Sequence, residues 1–413
     1  MTTANPCRSS GHHQLLPACR FVLIQLIFIL LQMLVNCRRC SAEDVDWLLK
    51  VTQPPAVSAA ELSERLEPLL TDTAGHPVTT REQWLSRRQQ LLTMWKQFLG
   101  SMPDPRPEVH LQVLTTEVVR CEPSETAGTN DAKTADTKTH HASDVTRQLV
   151  RYECEPQLFV EGYLLLPVRT DDNSGRLPAV VALHQTTDSS IDEIAGVSGP
   201  DAMQIGLKLA QRGFIVFCPR CFLWQDVTSL NEAVARHRSR HPETLGMAKM
   251  LYDAMRGVDV LVSLPEVDSD RIGAIGHSLG AKEALYLAAF DERVRAAVAS
   301  EGGLSFRSTN WHASWYLGEA IRDPEFSLNH HQLLALIAPR PFLVLGGESG
   351  PGAADGDRSW PLITAAMPVW RLYGEPVRLG LLNHHEGHTV SAQSFERMAE
   401  WLEIYLQQDE QRP

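Results

Sequence analysis

The run Gly276-His277-Ser278-Leu279-Gly280 constrains this chain more than any other stretch. Immediately upstream, Asp270 to Ile275 reads as a short buried strand, and downstream Ala281 to Ala289 reads as a helix. A serine at such a junction occupies a sharp turn that pushes its hydroxyl outward, and glycines two positions before and after it give room where backbone crowds. The helix N-terminus behind it favours negative charge nearby. A bare G-x-S-x-G is often only a turn, but with strand and helix both in place it reads as a nucleophile, Ser278.

The chain has 413 residues, 43% of them hydrophobic and 21% charged, enough to bury a large core and ordinary for a globular enzyme. A formal net charge of −12 argues against nucleic acid or an anionic membrane surface as partner. Residues 1–42 stand apart: Arg8 and Arg20 precede an apolar run from Phe21 to Val35, which ends near Cys40-Ser41-Ala42. This run is short for a membrane span and suits a signal peptide with Ala42 at the cut, so the protein is expected to be exported, to the periplasm or beyond the cell. Arg38 and Arg39 make an uncleaved membrane anchor the alternative.

Past the leader stand Cys121, Cys154, Cys218 and Cys221. Export permits disulfides, and Cys121 with Cys154 would suit two strands flanking an insert. Cys218-Pro219-Arg220-Cys221 has redox spacing but no helix begins at its first Cys, so these read as buried or structurally paired thiols.

Residues 43–104 read as an N-terminal helical extension whose main helix is capped by Thr80 and carries Trp84, Leu91, Trp95 and Leu99 at helical spacing. Residues 105–413 form the main domain. Its first extended runs, from Leu111, Thr146 and Leu158, fit an antiparallel ribbon at a sheet edge. The segment 122–143 between the first two has no Val, Leu, Ile, Met or aromatic residue and is expected to be a disordered insert. From Ala179 onward strands alternate with helices, which predicts an α/β fold: a mainly parallel sheet with helices on both faces and a ligand crevice at the carboxyl ends of the strands.

A serine hydroxyl needs a base, an acid that orients the base, and donors for an oxyanion. After the last strand comes Asn383-His384-His385-Glu386-Gly387-His388, and His388, beside the closing helix and following a glycine, is the expected base. Asp357, in the loop after the strand Pro341 to Leu345, and Glu301, in Ser300-Glu301-Gly302-Gly303 at the end of the preceding strand, are equal candidates for the acid. The backbone N–H of Leu279 and one from the loop after Leu183, at Thr186, are the expected oxyanion donors. No H-E-x-x-H or other zinc pattern accompanies the histidines, so no metal is expected. Trp224, Trp311, Trp315 and Trp360 fall in loops at strand ends where they would stack on sugar rings, core packing being the commoner fate. The segment Thr187 to Met203, with Gly196 and Gly199, has the makings of a lid.

Together Gly276 to Leu285, the run His330-His331-Gln332-Leu333-Leu334-Ala335-Leu336-Ile337-Ala338-Pro339-Arg340-Pro341 and the terminal Gly387-His388 resemble the exported α/β-hydrolases related to dienelactone hydrolases, acetyl xylan esterases and glucuronoyl esterases. The resemblance implies an α/β-hydrolase fold and carboxylic-ester hydrolysis through an acyl-enzyme, with no metal or organic cofactor. Glu301-Gly302-Gly303 and Lys282, four residues past the serine, match glucuronoyl esterases in particular, and Lys282 with Trp311 become candidate substrate contacts. Leu279 stands where those esterases place an arginine. The expectation is a serine esterase acting on a small-molecule or polysaccharide ester. A serine peptidase or acyl aminopeptidase would use the same residues, and a non-catalytic carbohydrate-binding or scaffold protein would keep the turn without the chemistry.

Overall fold

Short apolar runs bounded by Gly, Pro and Asp build the central sheet, because each is long enough to cross the core as a strand and too short to do so as a helix. The computed structural model describes residues 46–54, 66–121, 143–169, 175–349, 352–374 and 376–407. The chain divides into two units, Met1–Asp46 and Trp47–Pro413. Apart from Asp46 the first unit, where the leader or anchor is expected, lies outside the described residues, as do residues 122–142 of the expected insert. Among the described residues no helix is long and apolar enough to cross a membrane.

The described strands are β1 (Gln112–Val119), β2 (Val145–Glu155), β3 (Leu158–Pro167), β4 (Leu177–Leu183), β5 (Ile215–Pro219), β6 (Val267–His277), β7 (Val294–Ser300), β8 (Phe342–Gly346) and β9 (Leu379–Asn383). They lie in one sheet in the order β1-β2-β3-β5-β4-β6-β7-β8-β9. The edge ribbon β1-β2-β3 is antiparallel and joins β5 antiparallel, and every pair from β5 to β9 is parallel. The flanking helices are α1 (Asp46–Val51), α2 (Arg81–Leu99), α3 (Ile205–Gln211), α4 (Leu230–Arg240), α5 (Gly246–Ser263), α6 (Leu279–Phe290), α7 (His330–Ile337), α8 (Trp360–Arg371) and α9 (Ala392–Leu406). Gly257 of α5 lies against Val181, which pairs with Ala274, whereas the next residue back, Gly273, lies against Leu402 and Leu406 of α9. Successive strand residues point to opposite faces, so α5 and α9 cover the two sides of the parallel strands. This is the architecture the alternating pattern predicts.

Helix α2 begins in a capping box between Thr80 and Gln83, and it turns Trp84, Leu91, Trp95 and Leu99 inward. The Trp95 Nε1–H donates to Gln332 Oε1 at 3.1 Å, and its ring stacks at 6.0 Å on His330 of α7.

Two expectations fail. A disulfide between Cys121 and Cys154 is ruled out by register: Cys121 lies beyond the Val119↔Val145 end of the ladder, and Cys154 stands nine residues along β2, about 30 Å away. The Cys154 thiol instead donates to Asp253 Oδ1 at 2.9 Å. The middle of the expected lid is core, since Ile191, Ile194 and Ala195 are buried and Arg147 Nη1 donates to Ala195 O at 3.0 Å. Apolar residues every third position make that stretch a packed helical turn.

One buried charge network ties the edge ribbon to α5. Lys249 Nζ reaches Glu155 Oε1 at 2.6 Å and Asp253 Oδ1 at 2.5 Å, and Glu155 Oε2 lies 2.7 Å from His241 Nε2. Burial alone would raise the Glu155 carboxyl, but Lys249 and His241 hold it down at about 2. Arg240 and His241 stay on Glu155 Oε2, but removing the cation leaves Glu155 Oε1 and Asp253 buried without it, so Lys249→Met is expected to destabilise the fold by about 3 kcal/mol in urea unfolding. A loss below about 1 kcal/mol would show the network to be dispensable.

Buried histidines add a pH dependence. Burial holds His184 and His237 near 4 and His277 and His330 near 3, against an ordinary value of 6.5. Below about pH 6.5 the unfolded chain therefore takes up protons that the folded chain refuses, and stability falls continuously with acid down to those depressed values. Glu283, which burial raises to about 8, works the other way over this range and offsets about one of the four imidazoles, so the thermal midpoint should still drop between pH 7 and pH 5; a flat midpoint across that range would contradict the assignment.

Candidate active site

Ser278 follows β6 directly and caps α6 at φ 57°, a left-handed backbone that a serine adopts only where its neighbours enforce it. The enforcement comes from close backbone contacts. A Cβ on Gly276 would collide with the Gly280 carbonyl, and one on Gly280 would collide with the Leu183 carbonyl at the end of β4. The glycines therefore let strand, turn and helix touch, and Ser278 is left partly exposed between buried His277 and Leu279. Its amide donates to Ser300 O at 2.8 Å, fixing the turn to the end of β7. As the first residue of α6, Leu279 carries an amide without an intrahelical acceptor.

Glu301 continues β7 by one residue, also at positive φ (58°), and its amide donates to Leu345 O of β8 at 2.8 Å. Its side chain is fully buried, and each carboxylate oxygen faces one backbone amide and one imidazole. Oε1 accepts from the Gly347 N–H at 2.6 Å and lies 3.0 Å from His384 Nε2. Oε2 accepts from the Ala354 N–H at 3.2 Å and lies 3.9 Å from His388 Nδ1. Burial pushes the carboxyl up, but the contacts with His384 and His388 and the two amides outweigh it and hold Glu301 at about 2. It is a carboxylate at any working pH.

The terminal loop delivers the imidazoles. His385 adopts φ 60°, which turns the chain so that its own ring points out to Glu348, 3.0 Å away, while His384 and His388 face inward. The His388 ring, 29% exposed, packs at 4.7 Å on His277, the neighbour of Ser278. His277 in turn lies 3.2 Å from Ser300 Oγ through Nδ1.

Of the two candidate acids, the structure brings Glu301 to the imidazoles and not Asp357. Asp357, partly buried, accepts at Oδ1 from Asn383 Nδ2 at 3.1 Å. The inner carboxylate of that loop is Asp355, which accepts from the Gly303 and Leu304 amides at 2.8 and 2.9 Å and from Ser359 Oγ at 2.6 Å. It anchors the segment after Glu301, a role the sequence reading missed.

The remaining expected residues divide. Thr186 is exposed at the start of the loop after β4. That loop is held by His184, whose Nδ1 lies 2.8 Å from Gln185 O and whose Nε2 accepts from the Cys221 amide at 3.2 Å. Lys282 and Trp311 offer no face to a ligand. Trp311 is 1% exposed and donates Nε1–H to Gly303 O at 2.6 Å, and Lys282, 4% exposed, lies over its ring at 4.1 Å and donates to Thr309 Oγ1 at 3.1 Å. Burial brings the Lys282 amine down to about 7. Their expected substrate role gives way to a packing one, because the chain after Gly303 folds over them. Trp360 is buried too, while Trp224 and Trp315 are partly so. The Ala338-Pro339-Arg340-Pro341 stretch is likewise structural: the Arg340 guanidinium donates to the carbonyls of Ala288, Asp291 and Val294 at 2.6–3.0 Å and clamps the end of α6 to the start of β7.

Residues 161–332 match the dienelactone hydrolase family. YtaP of Bacillus subtilis (strain 168) is 34% identical over 104 residues, 24% of this chain and 34% of YtaP. The 4-O-methyl-glucuronoyl methylesterase of Phanerochaete carnosa is 28% identical over 170 residues, 33% of this chain and 40% of the relative. These alignments thus span well under half the length of either relative. Among solved structures, a glucuronoyl esterase from Solibacter usitatus superposes with a TM-score of 0.64 at 18% identity, covering 84% of this chain and 100% of that one. One from Teredinibacter turnerae gives 0.61 at 20%, covering 86% and 96%. The sheet order, the turn at Ser278 and these comparisons together establish an α/β-hydrolase fold, in which residues 161–332 are similar to the dienelactone hydrolase family.

Proposed function

We propose that the protein is an exported serine hydrolase that cleaves carboxylic esters, with Ser278 as nucleophile, His388 as base, Glu301 as the orienting acid and the Leu279 and Thr186 amides as oxyanion donors. The observation that carries this is the Glu301 carboxylate, buried, ionised and 3.9 Å from His388 Nδ1, on the residue after β7, the strand beside the one that leads into Ser278. With Nδ1 directed at Glu301, the opposite nitrogen of the ring is left for the serine. The distance of 3.9 Å shortens by about 1 Å to make a hydrogen bond, the tightening expected when substrate binds.

In the reaction, Ser278 Oγ bonds to the acyl carbon as its proton passes to His388. The tetrahedral oxyanion then collapses, the carbon–alkoxide bond breaks, and His388 protonates the departing alcohol. Water, deprotonated by the same imidazole, attacks the acyl-enzyme and releases the acid, restoring the serine. The names of the structural neighbours support an ester carried on carbohydrate. The apolar run Phe21 to Val35 supports export.

Turnover of p-nitrophenyl acetate tests the assignment. Ser278→Ala and Glu301→Ala are each expected to lower kcat by roughly 10³-fold or more, and Asp357→Ala by no more than about threefold. Loss in the Asp357 variant with retention in the Glu301 variant would move the acid role to Asp357.

A further inference from the structure

Glu301 faces two imidazoles, and the proposed mechanism uses only one. The other, His384, is not a mobile loop residue: its side chain is 7% exposed, its amide donates to Gly346 O at 3.1 Å, and its ring lies against Gly347, where a Cβ would come within 2.8 Å of Cε1. Its Nδ1 accepts the Glu386 N–H at 3.1 Å. A nitrogen that accepts a hydrogen bond carries no proton, so the proton of the neutral ring must sit on Nε2. That nitrogen is the one 3.0 Å from Glu301 Oε1. The loop thus selects one tautomer and leaves its only N–H beside the carboxylate, 3.0 Å from Oε1.

We propose that His384 is a positioning residue for catalysis: a tautomer-locked imidazole that fixes the Glu301 carboxylate opposite His388 and draws off part of its negative charge, thereby setting the basicity of His388. This deepens the serine-hydrolase reading and rests on it. The physical reason is that a carboxylate shared with a second donor attracts the proton of the first less strongly. The charged and titratable groups that bear on Glu301 are His277, His384 and His388, with Asp355 beyond them. His385 is engaged outward by Glu348 and takes no part. Without His384, Oε1 keeps only the Gly347 amide, and the carboxylate is free to swing and to bind the His388 proton more tightly.

The test compares His384→Phe, which keeps a ring of similar size without a donor, with His384→Gln, whose amide nitrogen reaches the place of Nε2. Readouts are kcat for p-nitrophenyl acetate and the rate of fluorophosphonate attachment to Ser278, each from pH 5 to pH 9. The Phe variant should lose roughly 10- to 100-fold in both rates, short of the roughly 10⁴-fold cost of disabling a triad acid, and its acid limb should move to higher pH by about half a unit to one unit. The Gln variant should recover most of the rate with the wild-type limb. A ring that merely fills space gives the opposite order, Phe tolerated and Gln impaired, and that result, or a lower rate with an unmoved limb in Phe, overturns the proposal. Should the Phe variant fail to fold, His384→Asn, whose amide is one bond too short, takes its place with the same expected loss and limb shift. If wild-type Ser278 neither labels nor turns over ester, the hydrolase reading itself falls, which is distinguishable because the other outcomes all require a reactive wild type.

Discussion

The arrangement of this site depends on one buried anion. A carboxylate with no solvent contact needs compensating partners, and Glu301 has two amide donors from the loop after β8 and two imidazoles, at 3.0 and 3.9 Å, from the loop after β9. Satisfying it draws three chain segments, far apart in sequence, to one point at the carboxyl ends of adjacent parallel strands. The left-handed backbone at Ser278 and at Glu301 places hydroxyl and carboxylate on neighbouring strand ends, with the Ser278 amide bonded to the carbonyl just before Glu301. Strain at two residues is thus stored where the proposed chemistry needs it and held by the close contacts of Gly276 and Gly280.

Around this centre a second set of buried polar groups holds the loops in register without facing the crevice. Asp355 ties down the chain after Glu301, His184 links the loop after β4 to the loop after β5, and Arg340 clamps α6 to β7. Lys282 and Trp311 belong here as well: a cation of α6 over an indole from the chain after Gly303 pins that segment to the helix. These residues have the types that usually mark a binding site, and their burial is what assigns them to the framework.

The contrast shows what a sequence can carry. The turn at Ser278, the alternation of strands and helices, the antiparallel ribbon and the capping of α2 by Thr80 were all legible because each is a local pattern, a period or a cap fixed by neighbours in the chain. The choice between Glu301 and Asp357 was not, since it rests on which carboxylate the loop after β8 turns inward. Nor was the burial of Trp311, which depends on a segment folding back over it, nor the separation of Cys121 from Cys154, which depends on strand register. A sharper signal was present for the acid, in Gly302-Gly303 directly after Glu301, which permit the backbone reversal that leaves the side chain behind in the core.

The central claim, that Glu301 and not Asp357 holds the ring of His388, has a direct spectroscopic consequence. Phosphonylation of Ser278 mimics the charge of the tetrahedral state and should protonate His388, so that proton NMR shows a low-field imidazole resonance from the proton held between Nδ1 and the carboxylate. The account predicts that this resonance survives Asp357→Asn and vanishes in Glu301→Gln. Its persistence in the Glu301 variant, or its loss with Asp357, would contradict the arrangement described.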